Sequence, residues 1–485
     1  MLAAMPPTPT TPPNRGEPRI RERSDACPGA LRLHPADDGH LARLRLPGGL
    51  LTSHQLTTLA RAAEELGDGM LSVTSRGNVE LRGLGEECGA QLADFLRDAG
   101  LLPSDTHERV RNVVSSPLAG LDGLGCGTVQ LWARQLDALL CASGRAARLS
   151  GRFLFALDDG RGDVAGLGAD VTLLAADGGS AVVHVGAQAF RIAAGDAPRA
   201  ALAAAEAFLT AAEDSGTGAW RVRELPAGQA PAVGAQLEAA GIAATRVRAD
   251  AGERTDPTGA ATDGPRAAGA GTEHGSGPGA GPGPQGAGPR PGLVEGPGRW
   301  AVSVAAPLGR LTAAQARALL PAPSDEVRLT PWRGVVVPGF TDPDEARARL
   351  RALDEAGLIT GTGSPWYGVG ACTGRPGCGK AFADVRADAA TGRDRPGEDA
   401  PPTGPDPTGP QPSDSPPQAL LPVYFSGCER RCGHPHGEHV DALALPDGTY
   451  RVTAGGASVA VATTARLADA VAAARRSTST TTPTK

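Results

Sequence analysis

A chain of 485 residues holds 67 glycines, 43 prolines and a formal charge of −6, with 40% apolar and only 3% aromatic residues. That length calls for about two to four domains, and so much Gly and Pro assigns part of the chain to linkers. The mildly acidic balance argues against a general nucleic-acid binder.

From the N-terminus, residues 1–24 read as a disordered tail, because Pro and Thr stand where a signal peptide carries an apolar segment. No stretch approaches the ~20 apolar residues of a membrane helix, so the expected location is the cytoplasm, with no membrane partner. Residues 25–103 read as a first half domain. Within it, residues 46–83 give a strand, a helix capped by Thr52 and two strands around an Arg76-Gly77-Asn78 turn. Residues 104–248 read as a first α/β lobe. It has a helix over 126–142, strands over 151–158, 169–177, 181–185 and 189–193, and an Ala-rich helix over 196–213.

A Gly/Pro-rich linker follows at 249–298. Residues 299–365 then repeat the first half domain. Leu311-Thr312-x-x-Gln315 restates Leu51-Thr52-x-x-Gln55, and Leu329-Thr330 restates Val73-Thr74 at a spacing shorter by four, which predicts a helix shorter by four residues. Residues 366–476 form a second α/β lobe interrupted by a disordered insertion at 387–418, and 477–485 form a disordered tail. A duplicated unit predicts an α+β protein of two halves about a pseudo-twofold axis, with a shared site at their junction.

The strongest chemical signal lies in the second lobe. Cys372 and Cys378 form C-x5-C, Cys428 and Cys432 form C-x3-C, and 49 residues separate the pairs. In a cytosolic protein these are thiols or metal ligands rather than disulfides. Four thiolates suit a [4Fe–4S] cluster. Zinc competes, since His434, His436 and His439 lie close by, although C-x5-C is wider than its usual spacing. Cys88 and Cys141 fall in helical patterns and read as buried apolar residues. The role of Cys27 stays open, and Lys380 is either a charge near the cluster or a helix-start residue.

These residues resemble the nitrite/sulfite reductase superfamily. The resemblance rests on segments 26–49, 74–83, 111–117, 329–334, 371–378 and 426–435, and covers about 25–248 and 299–475. Its opening and closing segments are most similar to the oxygenase branch that makes precorrin-3B in aerobic cobalamin synthesis. The resemblance implies two ferredoxin-like half domains and two α/β lobes, with a [4Fe–4S] cluster on Cys372, Cys378, Cys428 and Cys432 beside a tetrapyrrole. In the oxygenase branch the tetrapyrrole is the substrate, precorrin-3A, hydroxylated with O2 and closed to a lactone. In the reductases it is sirohaem.

By the same resemblance, Arg76, Asn78, Arg111 and Arg152 contact the tetrapyrrole or its anions, a role suited to guanidinium forks facing carboxylates. Leu154 stands where the reductases place a second basic residue, which counts against sulfite or nitrite as substrate. No GxGxxG opens a βα unit, so electrons are expected from an external ferredoxin or NAD(P)H-dependent reductase. A second iron centre, non-haem or sirohaem, is also implied, with His34, His434 and His436 as candidate ligands and His434 the foremost.

Overall fold

The computed structural model describes residues 25, 27–247, 288–391, 420–435, 437–455 and 457–476. The tails, His436 and most of the two Gly/Pro-rich segments lie outside the described residues. Where those segments re-enter, the structure corrects the expectation of disorder. Gly292–Gly296 is an edge strand paired with Arg299–Ala305, and Val385–Thr391 is a helix that buries Val385 and Ala389.

Two five-stranded sheets come from the half domains. The first runs in the order His34–Ala36, Gly39–Leu44, Val79–Leu84, Met70–Val73, Arg310–Thr312. The second runs Gly292–Gly296, Arg299–Ala305, Gly334–Phe340, Val327–Leu329, Leu50–Leu51. Each sheet therefore takes its last strand from the other copy: Leu311 pairs with Leu71, and Leu51 with Val327. One core spans both halves, with Leu56, Leu59, Leu71 and Leu81 from the first and Val302, Leu311, Val327 and Val335 from the second.

Both predicted N-caps form. Thr52 Oγ1 accepts from Gln55 N at 3.1 Å and Thr312 Oγ1 from Gln315 N at 3.0 Å, and each Gln side chain returns a bond to its Thr N–H. Each reciprocal pair satisfies two helix N–H groups that would otherwise lack partners. Gln55 and Gln315 also donate to Ala99 O and Ala356 O, the ends of helices Gly89–Asp98 and Pro343–Glu355. The helices differ more than their spacing predicted: Ser53–Leu66 has 14 residues and Ala313–Ala318 has 6. Pro321 stops the second early, since it lacks an N–H and biases Leu320 away from helix.

The α/β lobes also repeat. In the first, Val113–Ser115, Phe155–Asp158 and Val171–Ala176 lie parallel, followed by the antiparallel Ser180–Val185, Gln188–Ala193 and Thr245–Val247. In the second, Val369–Ala371, Val423–Ser426 and Val440–Ala444 lie parallel, followed by Thr449–Ala454 and Ala457–Thr463. Helices Ala197–Ser215 and Thr464–Arg476 close the respective lobes. The predicted strand at 151–158 begins only at Phe155, because Gly151–Leu154 turns on a Phe153 N–H to Ser150 O bond. No helix among the described residues is long and apolar enough to cross a membrane.

Candidate active site

Two adjacent parallel strands place the cysteines. Cys372 follows Val369–Ala371 and Cys428 follows Val423–Ser426, so both pairs leave the carboxyl ends of neighbouring strands, where α/β sheets bind ligands. The two cysteine loops lie against each other, with Gly427 N–H on Cys372 Sγ. Burial pushes the Cys432 thiol up, Arg430 opposes this, and Cys372, Cys428 and Cys378 each push it further up. Among the described residues, no three of these sulfurs group within 4.8 Å of one another. Four thiolates on two facing loops match the one-per-iron ligand set of a cubane. The donor set fits a [4Fe–4S] cluster.

The surroundings of the thiols are polar and cationic. Gly427 N–H donates to Cys372 Sγ at 3.1 Å, and Arg386 Nε donates to Cys372 O at 3.1 Å. Burial, with Arg310 and Arg82 nearby, lowers the Arg386 guanidinium to about 10. The C-x5-C loop docks on the first half domain, where Arg82 Nη2 donates to Gly377 O at 2.7 Å and Gly379 N–H donates to Asp37. Arg82 itself is held by Asp38 and Glu80, and Glu80 also holds Arg43 at 2.7 Å.

From Glu80 the basic region continues to Arg45 and Arg76. Arg45 is 4% exposed. Its Nε donates to Arg109 O at 3.1 Å, but Nη1 is buried without a partner. Burial, Arg43 and Arg76 together lower it to about 9. Arg76 is lowered to about 10 by burial, Arg221 and Arg43, and reaches the carbonyls of Gly151 and Arg152 at 3.4 and 3.3 Å. A desolvated guanidinium short of acceptors beside two more arginines is a site prepared for an anion. Cys27 borders it: burial and Asp25 push its thiol up, while Arg45 and Arg152 pull it down.

The sequence candidates divide. Arg76 lies in this basic region. Arg152 is exposed at its rim, with its guanidinium 5.0 Å over the Trp220 ring. Arg111 is not in it: Asp137 holds it bidentately at 2.6 and 2.7 Å. Asn78, 1% exposed, accepts from Leu46 N–H and donates to Asn112, so it locks the turn instead of facing a ligand. His34 is exposed on the edge strand. His434 is exposed, engages Pro435 O through Nδ1 and stacks on His439. Among the described residues, His434 joins no group of three ligand atoms within 4.8 Å of one another.

Lys380 is exposed in a loop and starts no helix. Cys88 and Cys141 are half-buried, Cys88 in a short turn where its Sγ meets Gly85 O. Sequence reasoning missed Arg43, Arg45, Arg82 and Arg386. The signal for the first two was the alternation Leu41-Ala42-Arg43-Leu44-Arg45-Leu46, which places both arginines on the face opposite Ala42, Leu44 and Leu46.

Comparison with known proteins accords with this geometry. Residues 34–97 match the nitrite/sulfite reductase ferredoxin-like half domain. The structure resembles the Mycobacterium tuberculosis NirA protein with a TM-score of 0.60 and 18% identity, over 89% of this chain and 79% of that one. The chain has the nitrite/sulfite reductase fold. Individual relatives within the superfamily align over shorter stretches. A ferredoxin–nitrite reductase of Synechococcus elongatus is 34% identical over 127 residues, 25% of each chain. A precorrin-3B synthase from a Sinorhizobium species is 35% identical over 100 residues, 21% of each chain. The chain thus spans about a quarter of the length of the curated relatives it matches.

Proposed function

We propose that this protein is an oxidoreductase of the precorrin-3B synthase type, which hydroxylates precorrin-3A with O2 and closes a lactone on it. The observation that carries the reading is the buried Arg45, whose Nη1 lacks a partner and which has Arg43 and Arg76 beside it. A precorrin bears many acetate and propionate groups, and guanidinium forks bind carboxylates bidentately. In this reading Arg45 and Arg76 hold and orient the substrate's carboxylates, with Arg152 at the rim. Cys372, Cys378, Cys428 and Cys432 hold a [4Fe–4S] cluster, which supplies one-electron transfer. Monooxygenation takes two electrons and two protons per O2, placing one oxygen in the substrate and releasing the other as water. An external ferredoxin or NAD(P)H-dependent reductase delivers the electrons.

The similarity to ferredoxin–nitrite reductases supports a second reading, a sirohaem-dependent reductase of nitrite or sulfite. Leu154 weighs against it. This residue is 4% exposed and packs with Val114, Ala156 and Val164, so the place of a second active-site cation is taken by an apolar cluster.

The test is an absorption spectrum with iron, sulfide and zinc analysis on anaerobically purified protein, followed by turnover. A brown iron–sulfur band without haem bands, with oxygen incorporated into precorrin-3A, is expected. Haem bands with nitrite or sulfite reduction would establish the second reading, and stoichiometric zinc without colour would overturn both.

A further inference from the structure

The turn at Thr330–Gly334 restates the turn at Thr74–Asn78. Thr74 N–H donates to Asn78 O at 2.8 Å and Thr330 N–H to Gly334 O at 2.9 Å; Gly77 N–H donates to Thr74 O at 3.1 Å and Arg333 N–H to Thr330 O at 3.0 Å. The fourth position is left-handed in both copies. The first fills it with Gly77 at φ 64°, the second with Arg333 at φ 61°. Glycine takes that conformation without steric penalty and arginine does not. A residue held against its backbone preference at such a place points to work done by its side chain.

The Arg333 side chain runs through a cradle of glycines. A Cβ on Gly309 would meet its Cδ at 2.3 Å, one on Gly433 its Nη2 at 2.8 Å, and one on Gly370 its Nη1 at 3.2 Å. Nη2 donates to Gly433 O at 2.7 Å and to Tyr424 Oη at 3.3 Å, and the guanidinium lies 5.3 Å from the centre of the Tyr424 ring. Tyr424, 1% exposed, donates through Oη to Cys432 O at 2.7 Å. Two successive carbonyls, those of Cys432 and Gly433, are thus held by a residue of the second half domain and one of the second lobe.

We infer that Arg333, acting with Tyr424, is the positioning residue for the last cluster cysteine, fixing the Cys432–Gly433 backbone and setting the cluster's potential with its charge. The inference rests on the four cysteines holding a cluster. Reduction makes a cluster more negative, so a fixed cation beside it favours the reduced form and raises the potential. Pinning both carbonyls keeps the thiolate on its iron and limits access of water and O2.

The deciding variant is Arg333→Gly, which accepts the native φ without strain and so keeps the fold. Its thermal midpoint should equal or exceed that of the parent, and iron and sulfide should still load. Its midpoint potential, read by EPR-monitored titration, should fall, and its brown absorbance should bleach several-fold faster in air. Arg333→Lys keeps the charge without the fork, so its potential should lie between the two while it bleaches as fast as the glycine variant. Tyr424→Phe should shift both readings in the same direction by less. An Arg333→Gly protein with the parental potential and bleaching rate would overturn the inference. A parent protein without iron and sulfide would instead overturn the cluster reading on which it rests.

Discussion

Gly427 donates its backbone N–H to Cys372 Sγ at 3.1 Å, from a position where no side chain fits. A Cβ on Gly427 would lie 2.7 Å from Ala381 Cβ and 3.4 Å from that same sulfur. The loop carrying the second cysteine pair therefore lies directly against the loop carrying the first. Gly427→Ala must push Ala381 away and lengthen the N–H···S bond. Iron and sulfide per chain should fall well below the parental value while the far-ultraviolet spectrum stays unchanged. Full loading with an unaltered potential would show that this N–H is not needed.

Arg45 sets binding against stability. Its buried Nη1 has no acceptor, so the folded protein bears the desolvation of a charge that a bound anion would offset. Arg45→Met keeps the length of the side chain and removes the charge. The expected outcome is a thermal midpoint no lower than the parent's together with precorrin binding weakened by at least about tenfold, the loss of one charge-assisted contact of ~1.5–3 kcal/mol. A parallel Arg76→Ala, Arg76→Lys pair should show the lysine retaining more affinity. Equal affinity in all of these proteins would place the carboxylates elsewhere.

The half-domain repeat and the two cysteine pairs were legible in the sequence because their signals are local. Thr-x-x-Gln writes a helix cap within four residues, and C-x5-C with C-x3-C marks four thiols on two loops that follow neighbouring strands. The strand exchange between Leu51 and Val327 was not legible, because it joins residues more than 270 apart that carry only ordinary strand composition. The ion pair of Arg111 was hidden for a related reason. Its motif matched a family position, but its partner, Asp137, sits on the next helix, and no motif records a salt bridge formed there. Arg45 escaped notice among 45 arginines until burial separated it from the solvated ones.

Leu154 offers a test of specificity. It lies 4% exposed in the cluster with Val114, Ala156 and Val164, and its N–H is held by Asp170 Oδ2 at 2.9 Å. A lysine there would bury an ammonium in apolar surroundings instead of adding a cation to the active site. Leu154→Lys should lower stability by about 3 kcal/mol or more and confer no nitrite or sulfite reduction with a chemical reductant. A stable variant that gains either activity would show the site lies closer to a reductase than proposed.

The carboxyl ends of the parallel strands differ between the lobes, and the difference has a pH signature. Ser116 follows Val113–Ser115 as Cys372 follows Val369–Ala371, and Asp158 ends, and Asp159 follows, the strand that corresponds to the one before Cys428. In place of thiols, the first lobe has Asp158, Asp159 and Asp163 around Arg161 and Ser116. Arg161 bonds Asp159 and Asp122, Ser116 Oγ donates to Asp163 Oδ1 at 2.6 Å, and Asp158 accepts four backbone N–H groups. Burial pushes the Asp163 carboxyl from 3.8 up to about 6, Asp158 and Asp159 push it the same way, and Ser116 and Arg161 oppose them. The folded state thus binds this proton more tightly than the unfolded chain. The stabilisation is complete below about pH 4 and is lost as the pH rises through about 6. Asp163→Asn keeps an acceptor for Ser116 and removes the charge. Relative to the parent, it should gain roughly 2–3 kcal/mol between pH 4 and pH 7, read as a widening gap in urea midpoints. Carboxylates remote from Asp163 are common to both proteins, so their titration cancels in that gap, which reports Asp163 together with its neighbours Asp158 and Asp159. A gap independent of pH would mean that Asp163 is already ionised, and stably so, in the folded protein.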